Sequence, residues 1–184
     1  MRLFVGIDLP YKLKETLLQF QSELRSLGVK GSWKSEENFH LTLEFLGELD
    51  QEKIITLTEA LSKVARINKP FKLSLGGIGA FPTMTRPHTL WTAPMGSLSE
   101  LSRLRDEIHL ELANHGFVLE NRQFKPHITI ASRPILDDVD LSSVHTEMLG
   151  EFDVTKVALF ESKAIRGRRI YTVLHDASLG KSNF

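Results

Sequence analysis

The chain has 184 residues and no cysteine, and its 23 Lys and Arg residues balance its 23 Asp and Glu residues. This length fits one large domain, or two small lobes that share a core. The lack of cysteine excludes disulfides, thiolate zinc sites, iron–sulfur clusters and a thiol nucleophile, and the zero formal charge disfavours a non-specific duplex-binding protein, which needs a basic excess.

The N-terminal segment predicts a buried strand over Leu3–Ile7, because its residues form a short apolar run. Asp8 interrupts this run long before the core of a secretion signal is complete. Elsewhere no uncharged apolar stretch approaches the ~18 residues that a membrane span requires. We therefore expect a cytosolic protein that contacts no membrane.

A helix is predicted to begin at Pro10 and to end at Gly28. Its apolar residues recur at spacings of four and three, which places them on one helix face. They are Leu13, Leu17, Phe20, Leu24 and Leu27. Two strands follow in the prediction, Val29–Trp33 and His40–Leu46, of which the second alternates clearly.

Asp50 is expected to cap a second helix. Its apolar stripe is Ile54, Leu57, Leu61 and Val64. The following run, Phe71–Phe81, predicts a strand that contains Gly76, Gly77 and Gly79. Glycines in a strand favour a bulge or the close approach of a ligand.

The same order of elements then recurs, beginning with a predicted strand over Thr89–Ala93. A capping-box pattern over Ser97–Glu100 predicts the start of a third helix, which ends near Gly116. Its apolar residues are Leu101, Leu104, Ile108 and Leu112. A strand over His127–Ala131 follows.

The C-terminal part predicts a short helix over Leu141–Leu149 and a strand over Phe152–Phe160. The basic, glycine-containing stretch Arg166–Arg169 indicates a hairpin tip before a last strand, Ile170–Leu174. We expect residues 177–184 to be a frayed tail.

The two halves of the chain thus share one order of elements, each with a His-bearing strand, at a displacement of 127 − 40 = 87 residues. This repetition predicts an α+β fold with pseudo-two-fold duplication, in which each lobe is an antiparallel sheet backed by helices. We expect residues 1–176 to form one bilobal domain.

The two His-bearing strands contain the same short pattern, His40-Leu41-Thr42-Leu43 and His127-Ile128-Thr129-Ile130. Side chains alternate across a strand, so each His shares a face with its Thr while the apolar residues enter the core. One such match is expected about 0.08 times by chance in this composition. Two matches at equivalent places predict a functional pair that faces across a central cleft.

Two imidazoles and two hydroxyls suit a displacement at phosphorus. Imidazole, with an unperturbed pKa of about 6.5, both accepts and donates protons near neutrality. One His would deprotonate water while the other protonates the departing oxygen. The Thr hydroxyls would donate to the non-bridging phosphate oxygens. This scheme requires no metal and no cofactor.

The motifs His40–Gly47 and Pro126–Ile130 resemble the paired HxTx motifs of the 2H phosphoesterases. More narrowly, the chain resembles the bacterial and archaeal RNA 2′,3′-cyclic phosphodiesterases, also called the 2′-5′ RNA ligase family. The resemblance runs from Arg2 to about Leu174 and includes the Leu90-Trp91 pair.

This resemblance implies a bilobal fold with the site in the central cleft, and hydrolysis of a 2′,3′-cyclic phosphate at an RNA end to a 2′-phosphate. Reversible 2′-5′ RNA ligation is a further activity that it implies. His40 would be the proton donor to the 3′-oxygen, and His127 would be the proton acceptor that activates water. Thr42 and Thr129 would hold the phosphate.

Four further residues are candidate substrate contacts: Phe39, Tyr171, Arg133 and His88. Phe39 either stacks a base or lies in the core. Relatives often carry an arginine three residues after the second motif's Thr, where this chain has Ser132 followed by Arg133. They also commonly carry an arginine just before the Leu-Trp segment, where this chain has His88.

Other charged residues are expected to be solvated. His109 and His115 lie six residues apart and so do not share a helix face. The arginines of the predicted hairpin tip either steer an RNA end or contact only solvent.

Two rival functions remain open on the sequence. A metal-dependent hydrolase would use His40 and His127 as ligands, although no third ligand is evident. A non-catalytic module would bind RNA ends or nucleotide phosphates in the same cleft. The expected partners are RNA ends or nucleotide 2′,3′-cyclic phosphates, with no protein partner, since one monomer supplies both halves of the site.

Overall fold

A computed structural model describes residues 1–180 of the chain. These residues form three α-helices, α1 (Tyr11–Ser26), α2 (Lys53–Ile67) and α3 (Leu98–Asn114). They also form nine strands: β1 (Arg2–Asp8), β2 (Lys30–Trp33), β3 (His40–Glu48), β4 (Phe71–Pro82), β5 (Pro87–Gly96), β6 (Ile128–Ile135), β7 (Met148–Val154), β8 (Lys156–Ile165) and β9 (Arg168–Ser178).

The strands form two antiparallel sheets, one in the order β3-β1-β8-β9 and the other in the order β2-β6-β5-β4-β7. The predicted α+β class with two antiparallel sheets is therefore confirmed. The assignment of one sheet to each half of the chain is wrong, because both sheets take strands from both halves. In the first sheet β1 pairs with β8, and in the second β2 pairs with β6.

The helices bury most of the apolar residues that their periodicity predicted; the exposed exception is Leu27, which lies beyond the end of α1 and is 37% exposed. In α1 the buried apolar residues are Leu13, Leu17, Phe20 and Leu24. Asp50 does not cap α2, since its backbone carbonyl instead accepts the Lys53 N–H in a turn at 3.0 Å and Glu52 precedes the helix. Ser97 precedes α3 as expected, but its side chain makes no capping hydrogen bond. Within residues 1–180, no helix combines the length and apolar character that crossing a membrane requires.

The prediction for residues 141–160 is wrong in two places. In place of the helix over Leu141–Leu149 the chain makes turns and then enters β7 at Met148. Val144 is the one fully buried residue of this segment, so its apolar residues do not form a buried helix face. The predicted strand Phe152–Phe160 is divided at Thr155 into β7 and β8, which belong to different sheets. No glycine or proline within Phe152–Phe160 marks the break between the two strands.

The C-terminal strand is longer than predicted. β9 continues to Ser178, Leu179 is buried, and the Gly180 N–H donates to the Ala65 carbonyl at 3.1 Å. The prediction of a frayed tail is therefore corrected for residues 177–180, which pack on α2. Its remainder, residues 181–184, lies outside the described residues.

Candidate active site

His40 opens β3, directly after a 3₁₀ turn over Glu36–Asn38. Its Nδ1–H donates to the Asn38 carbonyl at 2.9 Å, which fixes the tautomer of the neutral ring. Nε2 is then an acceptor, and the Thr42 hydroxyl donates to it at 3.0 Å. The ring packs against Phe4, with centroids 4.6 Å apart, and meets the edge of Tyr171 at 4.8 Å.

His127 stands just before β6 in the same local arrangement. Its Nδ1–H donates to the carbonyl of Lys125, again two residues earlier, at 2.7 Å. Nε2 is again the basic nitrogen of the neutral ring. The imidazole meets Phe81 at 90° with centroids 4.8 Å apart, and Trp91 lies 6.4 Å away. The repeated sequence motif therefore corresponds to a repeated hydrogen-bonding arrangement.

Both His-Thr pairs line one cleft of about 590 Å³ between the two sheets. His40 and Thr42 come from one sheet, and His127 and Thr129 come from the other. The structure thus brings together the four residues that the motifs singled out.

Burial lowers the pKa of both imidazoles. For His40, the surrounding rings exclude water and lower the pKa to about 4, against smaller opposing effects of the Asn38 carbonyl and Asp8. Burial also lowers the pKa of His127, again opposed by the carbonyl to which it is bonded. Each ring is therefore neutral at neutral pH in the free protein, and is a competent base.

The wall behind His127 depends on a glycine. A Cβ at Gly79 would overlap the indole of Trp91, so Gly79 admits the ring that helps to enclose His127. Gly76 similarly lies against the Glu147 backbone. Gly79 thus leaves room for the Trp91 ring and Gly76 for the Glu147 backbone. Between these two glycines the pairing of β4 with β5 contains a bulge.

Four cations line the cleft: Arg2, Lys34, Arg122 and Arg169. Of these, only Arg169 was a candidate on the sequence, as one of three hairpin arginines with a solvated alternative. Arg122 lies in the segment between α3 and β6, and no local pattern marks it. Lys34 reaches the cleft because β2 pairs with β6, and this distant pairing leaves no local signal either.

The predicted substrate contacts divide into two groups. Tyr171 lines the cleft beside His40. Phe39 is fully buried in the core, so the alternative of base stacking is wrong for it. Arg133 is exposed, with its guanidinium 3.5 Å from the Ser32 hydroxyl, and His88 is exposed as well. Neither of these two side chains is in the cleft lining, whereas Ser132 is.

A buried carboxylate lies two residues beyond Thr42 in β3. Glu44 is 3% exposed and accepts a hydrogen bond from His109 Nδ1 at 2.8 Å, with Arg105 Nη2 3.5 Å away. The expectation that His109 contacts only solvent is therefore wrong. This network fastens α3 to the strand that carries His40 and Thr42. Across residues 1–180, no cluster of three or more His, Asp or Glu side chains is arranged to hold a metal ion.

Comparison with known proteins agrees with this geometry. The sequence model of a family described as LigT-like phosphoesterase matches residues 7–91 and 94–171. The chain is 31% identical over 186 residues to an RNA 2′,3′-cyclic phosphodiesterase of Aquifex aeolicus, covering 98% of each sequence. It is 33% identical over 181 residues to one of Methanocaldococcus jannaschii, covering 96% of this chain and 99% of that protein.

Solved structures show the same fold. A crystal structure of a Thermus thermophilus protein matches with a TM-score of 0.81 and 28% identity, covering 100% of both chains. The crystal structure of E. coli LigT complexed with 3′-AMP matches with a TM-score of 0.76 and 28% identity, covering 98% of both chains.

Proposed function

The chain belongs to the LigT-like phosphoesterase family, and from this premise we propose that it hydrolyses the 2′,3′-cyclic phosphate at an RNA end to a 2′-phosphate without a metal ion. One observation carries the proposal. Two imidazoles from different sheets line one cleft, and each is held in the same tautomer by the carbonyl two residues before it. The names of the relatives support the substrate class, and the complex of E. coli LigT with 3′-AMP supports a nucleotide ligand.

The reaction needs one base and one acid at phosphorus. Nε2 of one imidazole takes a proton from water, whose oxygen attacks the phosphorus. The bond from phosphorus to the 3′-oxygen breaks, and the second imidazole, protonated at Nε2, gives its proton to that oxygen. Hydroxyls of Thr42 and Thr129 donate to the non-bridging oxygens, where negative charge accumulates. The products are a 2′-phosphate and a free 3′-hydroxyl.

We assign the acid role to His40 and the base role to His127, as the resemblance implies. A substrate with sulfur in place of the 3′-oxygen tests this assignment, because a thiolate leaves without being protonated. The acid variant should regain most of its lost rate on the thio substrate, whereas the base variant should not. Recovery by His127→Ala rather than by His40→Ala would reverse the two roles.

The overall function is tested with a short RNA that ends in a 2′,3′-cyclic phosphate, incubated in chelator. Wild-type protein should release only the 2′-phosphate, and His40→Ala and His127→Ala should each lower the rate at least about 10³-fold, as loss of a general acid or base does. His115→Ala is the matched control, since His115 is exposed at the end of α3.

Each other outcome has a distinct meaning. Activity that disappears in chelator and returns with a divalent metal would favour the metal-dependent hydrolase. Tight binding of the RNA without product would favour the binding module. Full activity in either histidine variant would refute the acid–base pair.

The same acid–base pair would join an RNA 2′,3′-cyclic end to a 5′-hydroxyl through a 2′-5′ linkage when that hydroxyl attacks in place of water. The base then takes the proton of the 5′-hydroxyl, the bond from phosphorus to the 3′-oxygen breaks, and the acid protonates that oxygen. Supplying a 5′-hydroxyl oligonucleotide in excess should therefore yield ligated product that is absent in both histidine variants.

We also propose a cytosolic monomer, because one chain supplies both histidines and RNA ends are processed inside cells. Light scattering on the purified protein measures the oligomeric state.

A further inference from the structure

The positive charge of the cleft exceeds what one cyclic phosphate requires. Arg2, Lys34, Arg122 and Arg169 line the cleft, and among the described residues of that lining Glu120 is the one carboxylate. Glu120 accepts a hydrogen bond from Arg122 at 2.8 Å, so this pair is neutral. Three positive charges remain, whereas a ribose 2′,3′-cyclic phosphate carries one negative charge. The surplus favours a ligand with additional phosphates.

Lys34 is held rigidly at the edge of the second motif. Its N–H donates to the Ile130 carbonyl at 3.0 Å, next to Thr129. The buried amide of Gln21 donates to the carbonyls of both Lys34 and Ile130, each at 2.9 Å. The side chain of Lys34 is half-buried in the cleft wall. The backbone from which the Lys34 side chain extends is therefore held against the sheet next to His127.

Arg169 approaches from the opposite sheet. It lies on β9, two residues before Tyr171, whose ring meets His40 edge-on. Arg169 and Lys34 line the same cleft, and the charge of Arg169 adds to burial in lowering the pKa of Lys34. Within residues 1–180 neither side chain has a carboxylate at salt-bridge distance. Two neighbouring cations without a counter-ion repel each other, and an anion between them relieves that repulsion.

We propose that Lys34 and Arg169 form a subsite for a second phosphate of the substrate, the one attached to the 5′-oxygen of the terminal nucleotide. The proposal rests on the proposed function, in which the reacting phosphate lies between the histidines. In an RNA whose 3′ end carries the cyclic phosphate, every other phosphate lies on its 5′ side. An arginine fork and a lysine ammonium both suit a phosphate, and this pair would make the enzyme prefer RNA ends to nucleoside cyclic phosphates.

The test compares two substrates that differ by one phosphate, adenosine 2′,3′-cyclic phosphate with either a 5′-hydroxyl or a 5′-phosphate. Wild-type kcat/KM should be at least about tenfold higher for the 5′-phosphorylated substrate, as expected for charge-assisted hydrogen bonds. Lys34→Met and Arg169→Gln should each remove most of that advantage. Each variant should lose at least about fivefold more kcat/KM on the 5′-phosphorylated substrate than on the 5′-hydroxyl substrate, and added salt should reduce the wild-type advantage.

The chain offers a matched control for each change. Lys30→Met removes an exposed lysine from β2, the strand that directly precedes Lys34. Arg168→Gln removes the arginine beside Arg169. Arg168 is exposed, and its charge helps to lower the pKa of Glu37. Neither control residue is in the cleft lining, so both controls should keep the wild-type preference. Circular-dichroism melting of every variant verifies that the fold is intact.

A binding measurement separates failure of this proposal from failure of the proposed function. Calorimetry with adenosine 3′-phosphate and adenosine 3′,5′-bisphosphate requires no turnover. The bisphosphate should bind wild type at least about tenfold more tightly, and Lys34→Met should remove the difference. Equal affinity of wild type for the two nucleotides would overturn the subsite, whether or not hydrolysis occurs. An equal loss of kcat/KM on both cyclic substrates would also overturn it, by placing the cations on the reacting phosphate.

Discussion

Replacing His40 with Gln should make the protein less sensitive to acid. In the fold, burial between aromatic rings lowers the pKa of His40 to about 4, whereas an exposed imidazole titrates near 6.5. The unfolded chain therefore binds the proton more tightly. The neutral His40 ring therefore makes its full contribution to the free energy of unfolding above pH 6.5, and this contribution is lost as the pH falls toward 4. From these two values the loss between pH 7.5 and pH 4.5 is about 2.5 kcal/mol.

Urea unfolding at the two pH values, followed by tryptophan fluorescence, measures this loss. Wild-type protein should lose about 2.5 kcal/mol more unfolding free energy than His40→Gln does between pH 7.5 and pH 4.5. Effects of the substitution on packing cancel, because each protein is compared with itself. Equal losses in the two proteins would refute the reasoning, as would an NMR titration of the His40 ring with a midpoint above pH 6.

Three further outcomes are expected. Because burial lowers the pKa of both His40 and His127, kcat/KM should peak below pH 6.5 and fall about tenfold per pH unit above that range; a plateau extending to pH 8 would contradict this. Thr129→Val should lower kcat about 10²-fold while leaving the thermal melt nearly unchanged, because it removes a cleft-lining hydroxyl that is proposed to donate to the phosphate; an unchanged kcat would exclude that role. Gly79→Ala should cost about 1–3 kcal/mol of unfolding free energy, since its methyl overlaps Trp91; unaltered Trp91 fluorescence and stability would show that the ring can move aside.

The parts of the fold that the sequence predicted are those governed by local periodicity. Spacings of three and four marked α1 because the core covers only one face of that helix, and alternation marked β3 with its His40–Thr42 pair. The sheet to which each strand belongs was not predictable. Only Thr155 separates β7 from β8 in sequence, yet β7 pairs with β4 and β8 pairs with β1.

The site was predictable only where its residues share a local pattern. Two copies of one motif identified the four His and Thr residues. Lys34 enters the cleft through the pairing of β2 with a strand almost a hundred residues later, so its position depends on the tertiary fold. Glu44 likewise appears as a polar residue of an alternating strand, and becomes buried only because α3 brings Arg105 and His109 to it. Phe39 shows the reverse, since an aromatic residue beside a catalytic motif has entered the core.

In the proposed mechanism, the hydroxyl of Thr42 couples substrate binding to protonation of His40. In the free protein this hydroxyl donates to Nε2 of His40 at 3.0 Å, the atom that must carry the proton in the proposed acid role. A hydroxyl has one proton, so Thr42 cannot donate to Nε2 and to a phosphate oxygen at once. When the phosphate takes the Thr42 hydrogen bond, Nε2 loses its donor and gains an anion beside it, and both changes favour the imidazolium. A ring whose pKa is about 4 in the free protein therefore becomes an acid only when the substrate that needs its proton is in place.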